Sequence, residues 1–81
     1  MSTGRVCQTV LINVQPVELY KVLKFEGLVA SGAQAKQVID SGLVSVNSEA
    51  ETRRRRKIVH GDTIDFEEVR LIIVFDEAPS P

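Results

Sequence analysis

The spacing of apolar positions changes several times along the chain, and each change predicts an element. Residues 5–13 are rich in β-branched side chains, with Val6, Gln8, Val10 and Ile12 on one face of a period-2 pattern, which predicts a strand. From Val17 to Glu26 the period lengthens, and Leu19, Val22 and Leu23 fall on one stripe of a helix. Pro16 is expected to open that helix at the first-turn position, where its missing N–H costs nothing. Glu18 then lies in the first turn near the positive end of the dipole, and Gly27 stops the helix as a left-handed cap. A second, shorter helix follows. Ser31 is its expected N-cap, accepting from the N–H of Ala33 or Gln34, with Ala35, Val38 and Ile39 inward and Gly42 at its end. A link of about four residues makes the two helices spatial neighbours.

The rest of the chain reads as short strands. Leu43 to Val46 is closed by the turn-tolerant pair Asn47-Ser48, Ile58-Val59 is followed by a turn at His60-Gly61-Asp62, and Thr63 to Phe66 points Ile64 and Phe66 inward. Arg70 to Phe75 shows no alternation, as expected of a strand covered on both faces or central in its sheet. The predicted class is α+β: two short helices packed on a small, largely antiparallel four- to five-stranded sheet. One domain over residues 5–77 is expected. Residues 1–4 and 78–81, small residues and prolines, read as loose tails.

Length and composition narrow the picture. Eighty-one residues, 43% hydrophobic and 26% charged, suffice for one core and argue against disorder. The longest apolar run, Leu71 to Phe75, falls far short of the roughly 18 residues of a membrane span, and no apolar segment follows Met1 to Arg5 as a secretion signal requires. The single cysteine, Cys7, excludes an internal disulfide framework and a thiolate zinc site, reads as a small buried hydrophobe, and suits a reducing, cytoplasmic setting. No second histidine joins His60, which reads as a turn residue, so no metal site or cofactor is expected. No nucleophile elbow, Gly-rich phosphate loop or paired carboxylates appear, and the chain reads as non-catalytic.

Charge is distributed unevenly. Residues 1–61 hold nine basic against five acidic residues, whereas residues 62–81 hold one against six. Five of the nine are consecutive: Arg53, Arg54, Arg55, Arg56 and Lys57. Such a run pairs well with a polyanion through counterion release, and the planar guanidinium suits bidentate phosphate contact. It could equally be a solvated strand edge, since basic residues commonly guard edges. At period 2 neither of its faces can be buried, so the segment must stand clear of the core until Ile58. The acids after Asp62 read as a solvated sheet face or as a field that orients the basic side.

The stretch Val17 to Phe66 resembles the S-four RNA-binding domain family, also called the alpha-L motif. The elements that carry the resemblance are Leu19-Tyr20-Lys21-Val22-Leu23, Gly27, Ser31, Ala35, Val38-Ile39, Gly42-Leu43-Val44-Ser45-Val46-Asn47 and Gly61-Asp62-Thr63-Ile64. The segments Val17-Glu18-Leu19 and Ser31 to Lys36 are most similar to its stand-alone bacterial YbcJ-like branch. Glu18 and Gly32 depart from the family, which often carries arginine at both places. The resemblance implies an RNA-binding face on the helix pair.

Lys21, Lys24, Ser31, Gln34, Lys36 and Gln37 then become candidate contacts beside Arg53 to Lys57, with the second helix's N-terminus turned to a phosphate. Of the aromatics, Phe25, Phe66 and Phe75 fit core positions and only Tyr20 is a plausible surface ring, so shape and backbone are the expected basis of recognition. The implied partner is structured RNA, ribosomal RNA or a ribosome-associated particle, bound by a monomer with no membrane attachment. The rival reading is a protein-interaction adaptor whose basic segment grips an acidic partner.

Overall fold

The computed structural model describes residues 6–76, so the two expected tails lie outside the described residues. In chain order the elements are β1 (Val6–Ile12), β2 (Val17–Glu18), α1 (Leu19–Phe25), α2 (Gly32–Asp40), β3 (Val44–Val46), β4 (Glu49–Ala50), β5 (Lys57–Ile58), β6 (Thr63–Phe66) and β7 (Val69–Phe75). Five strands form one sheet in the order β1-β7-β6-β3-β4, and β2 pairs with β5 in a second, two-stranded sheet. All pairs are antiparallel except β1 with β7, which run parallel from Val6 opposite Val69 to Ile12 opposite Phe75. The main sheet is therefore mixed, and β7 is an interior strand of it, between β1 and β6.

One face of the sheet is covered by the helices. Val10, Ile12, Val44, Val46, Ile64, Phe66, Leu71 and Ile73 point into a core completed by Leu19, Val22, Leu23, Ala35, Ile39 and Ile58. Each buried Leu or Ile contributes about 1.5–3 kcal/mol of transfer free energy. The opposite face is open. By strand parity it carries Cys7, Thr9, Leu11 and Ile72, so Cys7 is exposed rather than buried, and β7 is interior without being covered on both faces.

Both helices end as their sequences dictate. At α1 the N–H groups of Gly27 and Leu28 bond to the carbonyls of Lys24 and Leu23, and at α2 those of Gly42 and Leu43 bond to Ile39 and Val38. Gly27 and Gly42 supply the left-handed residue of each cap, at φ +75° and +77°. At the start of α2 the Ser31 hydroxyl accepts from the Gln34 N–H at 3.1 Å, and Gln34 Oε1 accepts in return from the Ala30 N–H at 2.8 Å.

The start of α1 differs from expectation. The Gln15–Pro16 peptide is cis, and Pro16 does not open the helix. Val17 and Glu18 are instead extended and pair with Ile58 and Lys57. Glu18 is the N-cap and makes no capping bond with its side chain. The pairing wins because it buries Ile58 under α1 while the segment after β4 supplies the carbonyls that the helix start needs.

Candidate nucleic-acid interface

The arginine run forms a turn. Its entry is fixed where the Glu51 N–H bonds back to the Val44 carbonyl, and the turn closes with a 3.1 Å bond from the Arg56 N–H to the Arg53 carbonyl. It exits into β5. On the way its backbone caps α1: the Arg56 carbonyl accepts from the Leu19 N–H at 2.9 Å, and the Arg54 carbonyl from the Tyr20 N–H at 3.2 Å. Two of the orphan donors at the helix start are satisfied by the basic segment itself, which anchors that segment to the helix pair.

Glu51 organises the side chains. It is only 7% exposed. Its carboxylate accepts from the Arg53 backbone N–H, from Arg53 Nε at 2.8 Å and Nη2 at 3.2 Å, and from Arg56 Nη1 at 2.6 Å. The Arg53 hydrogen bond, opposed by burial and assisted by Arg56, holds the Glu51 carboxyl down to about 2. Arg54 reaches the other helix and pairs with Asp40 at the end of α2. Arg55 lies 4.0 Å from Glu18, which also pairs with Lys21 at 3.5 Å. Among the described residues three carboxylates thus face the run, too few to neutralise it together with Lys21 and Lys36.

The surplus cations surround an open depression of about 830 Å³, lined by Lys36, Thr52 and the run Arg53 to Lys57. Among the described residues no carboxylate lines it, and every lining residue presents a donor. Lys36 is set over the Tyr20 ring, 4.8 Å from its centroid, and Lys21 stands 6.0 Å from the same ring. Tyr20 is half-buried against the core and its ring also packs beside Gly32, where an added Cβ would meet it at 3.9 Å. Gly32 is therefore occupied by packing with Tyr20. A second depression of about 480 Å³ includes Lys21, Lys57 and Phe25, and meets the first at Lys57.

Of the residues singled out in the sequence, the structure brings Arg53, Arg54, Arg55, Arg56, Lys57 and Lys36 into one depression, with Lys21 in the adjoining one. Lys24 and Gln37 are exposed on α1 and α2 and line neither. Ser31 and Gln34 also line neither, and their oxygens are committed to the α2 cap. Sequence reasoning missed Glu51, Asp40 and Thr52, and it placed Phe25 in the core, whereas that residue is 70% exposed. His60 is a turn residue as expected, its Nδ1 accepting from the Phe75 N–H at 3.1 Å.

The helix pair on a mixed five-stranded sheet, with its small two-stranded companion, matches the alpha-L fold. The chain belongs to the S4 domain family, whose model matches residues 10–74. A relative from Escherichia coli strain K12, named "Putative RNA-binding protein YbcJ", is 54% identical over 50 residues, which is 62% of this chain and 71% of that protein. A second, from Bacillus subtilis strain 168 and named "Probable ribosome maturation protein RlbA", is 34% identical over 56 residues, covering 69% of this chain and 79% of that one. The solution structure of YbcJ from E. coli, which reveals an alpha-L motif involved in RNA-binding, superposes with a TM-score of 0.59 at 45% identity. That match covers 79% of this chain and 85% of the other.

Proposed function

We propose that the chain is a non-catalytic RNA-binding protein that docks on structured RNA, ribosomal RNA or a ribosome-associated particle, through its phosphates. The observation that carries this reading is the depression whose described lining residues all present donors and which is held against the helix pair. RNA phosphates are dense, strong acceptors, and a cluster of guanidinium and ammonium groups exchanges condensed counterions for them. The RNA-binding description of the YbcJ relative and the ribosome-maturation name of the RlbA relative support the same partner class.

Within the run the reading assigns separate tasks. Arg53 and Arg56 share Glu51, so they shape the rim, while Lys36 and Lys57 make no ion pair among the described residues and Arg55 has only a distant one. Lys21, Lys24, Ser31, Gln34 and Gln37 flank that centre on the helices. The test is binding of a structured RNA, and of duplex DNA for comparison, across a salt series. The triple variant Lys36→Ala, Arg55→Ala, Lys57→Ala leaves the Glu51 cluster intact. It is expected to flatten the log–log salt slope by about 2–3, at roughly 0.7–0.9 per phosphate contact, with the thermal transition unchanged. A variant that keeps the original slope and affinity would remove the site from the proposal, and capture of an acidic protein with no RNA affinity at low salt would favour the adaptor reading.

A further inference from the structure

We propose that Phe25, at the end of α1, is a stacking platform for an unpaired nucleobase whose flanking phosphates are taken by Lys21 and Lys57. The inference rests on the RNA-binding reading and deepens it: the RNA would present a bulged or terminal unpaired nucleotide beside its helical stem.

Three observations converge. First, Phe25 is the exception among the aromatics. Phe66 is buried and Tyr20 and Phe75 pack against the core, while Phe25 is 70% exposed. An isolated exposed ring would need no explanation. Second, this one lines a depression of about 480 Å³ whose other walls include Val14 and Pro16. That space lies within the roughly 300–1,000 Å³ typical of small-ligand sites and offers apolar walls for the faces and edges of a base. Third, the rim is charged in the sense a nucleotide needs. Lys21 and Lys57 are both lining residues, and Lys57 is shared with the arginine depression, so a strand could pass from one to the other without leaving the basic surface. The one carboxylate among the described lining residues, Glu18, is held between Lys21 at 3.5 Å and Arg55 at 4.0 Å.

An apolar patch rimmed by lysines fits a base with its phosphates better than it fits an apolar protein segment, which gains nothing from the cations. Stacking on an aromatic ring tolerates any base, because every base has a π-face. The site would therefore sense that a nucleotide is unpaired rather than which one it is.

The experiment compares two RNA hairpins, one fully paired and one with a single bulged 2-aminopurine, against the full chain and its Phe25→Ala, Phe25→Leu and Phe25→Trp variants. Exposure of the ring means that the substitutions leave little cavity, and a thermal melt checks it. Loss of about 1–3 kcal/mol of stacking corresponds to roughly a 5- to 150-fold weaker affinity for the bulged hairpin in Phe25→Ala. The paired hairpin should change less than twofold. Phe25→Leu should resemble Phe25→Ala, since bulk without a π-face does not stack, and Phe25→Trp should restore affinity. The chain has no tryptophan, so Phe25→Trp also introduces a single fluorophore, whose emission should respond to the bulged RNA and not to the paired one. Equal affinity for both hairpins, unchanged in Phe25→Ala, would overturn the stacking proposal while leaving phosphate binding intact. An equal loss on both hairpins would overturn it too. Failure of both hairpins to bind at low salt would remove the RNA-binding reading along with it.

Discussion

Replacing Glu51 by glutamine tests whether one carboxylate organises the basic turn. In the folded chain it accepts four hydrogen bonds, three from Arg53 and one from Arg56, and its pKa falls from 4.5 to about 2. Taken at full strength that fall corresponds to roughly 3 kcal/mol of linkage. Arg53, which dominates the shift, has a 73% exposed side chain, so water screens the pair and about 1–2 kcal/mol is the reasonable expectation. Because the folded pKa lies below the unfolded one, this stabilisation is complete above about pH 5 and disappears as pH falls through about 2. Glutamine mimics the protonated carboxyl at every pH. Glu51→Gln should therefore cost about 1–2 kcal/mol at pH 7, a drop in melting temperature of about 5–10 °C for a domain of this size. The cost should shrink to less than half by about pH 3. Urea midpoints of the two proteins at pH 7, 5, 4 and 3 provide the measurement, and the difference between them cancels the other carboxylates. A penalty that stays constant from pH 7 to pH 3 would mean that the side chain acts through packing, and the electrostatic argument would be wrong.

Three further substitutions check the local physics. Gly27→Ala has open space around the new Cβ but sits at φ +75°, so it should lose about 1–2 kcal/mol from left-handed strain alone. Gly32→Ala, whose Cβ would meet Tyr20 at an ordinary 3.9 Å, should instead gain up to about 1 kcal/mol, and denaturant midpoints moving in the same direction for both would refute the backbone explanation. Ser31→Ala should lose about 1 kcal/mol by removing the α2 cap, while Ser31→Asp retains it, as thermal melts would show.

Local signals proved legible, and long-range choices did not. Ser31, Gly27 and Gly42 fix helix ends through their own backbone and side-chain chemistry, and the structure puts each where the sequence pattern did. Asn47 and Ser48 both take positive φ in the turn between β3 and β4, as their position in the pattern suggests. The β2–β5 pairing joins residues about 40 positions apart, and nothing near Pro16 announces it. The parallel partnership of β1 with β7 is more remote still. Two errors were avoidable. The stripe Leu19, Val22, Leu23 continues to Glu26, which leaves Phe25 roughly a third of a turn off the centre of the buried face. Cys7 alternates with Val10 and Ile12, so the parity that buries those two exposes it. At the candidate site the basic run was legible because its residues are consecutive. Its counter-charges were less so: Glu51 is close in sequence, but Asp40 meets Arg54 only through the fold.

The way the turn is held bears on how it could recognise RNA. Five adjacent cations on a free chain would repel one another and sample many shapes, and ordering each side chain on binding would cost about 0.5–1.5 kcal/mol. Here the backbone is fixed first, because the carbonyls of Arg54 and Arg56 are ligands of α1's own N–H groups. Glu51 then fixes Arg53 and Arg56, and Asp40 draws Arg54 toward α2. Part of the ordering cost is thus met during folding, and the charges present a shape rather than an average density. Phe25 lies on α1, the helix that those carbonyls cap, so ring and cations are held in one frame. A ligand with matching rigidity, a folded RNA, gains from that frame, whereas a flexible acidic segment would have to order itself to use it.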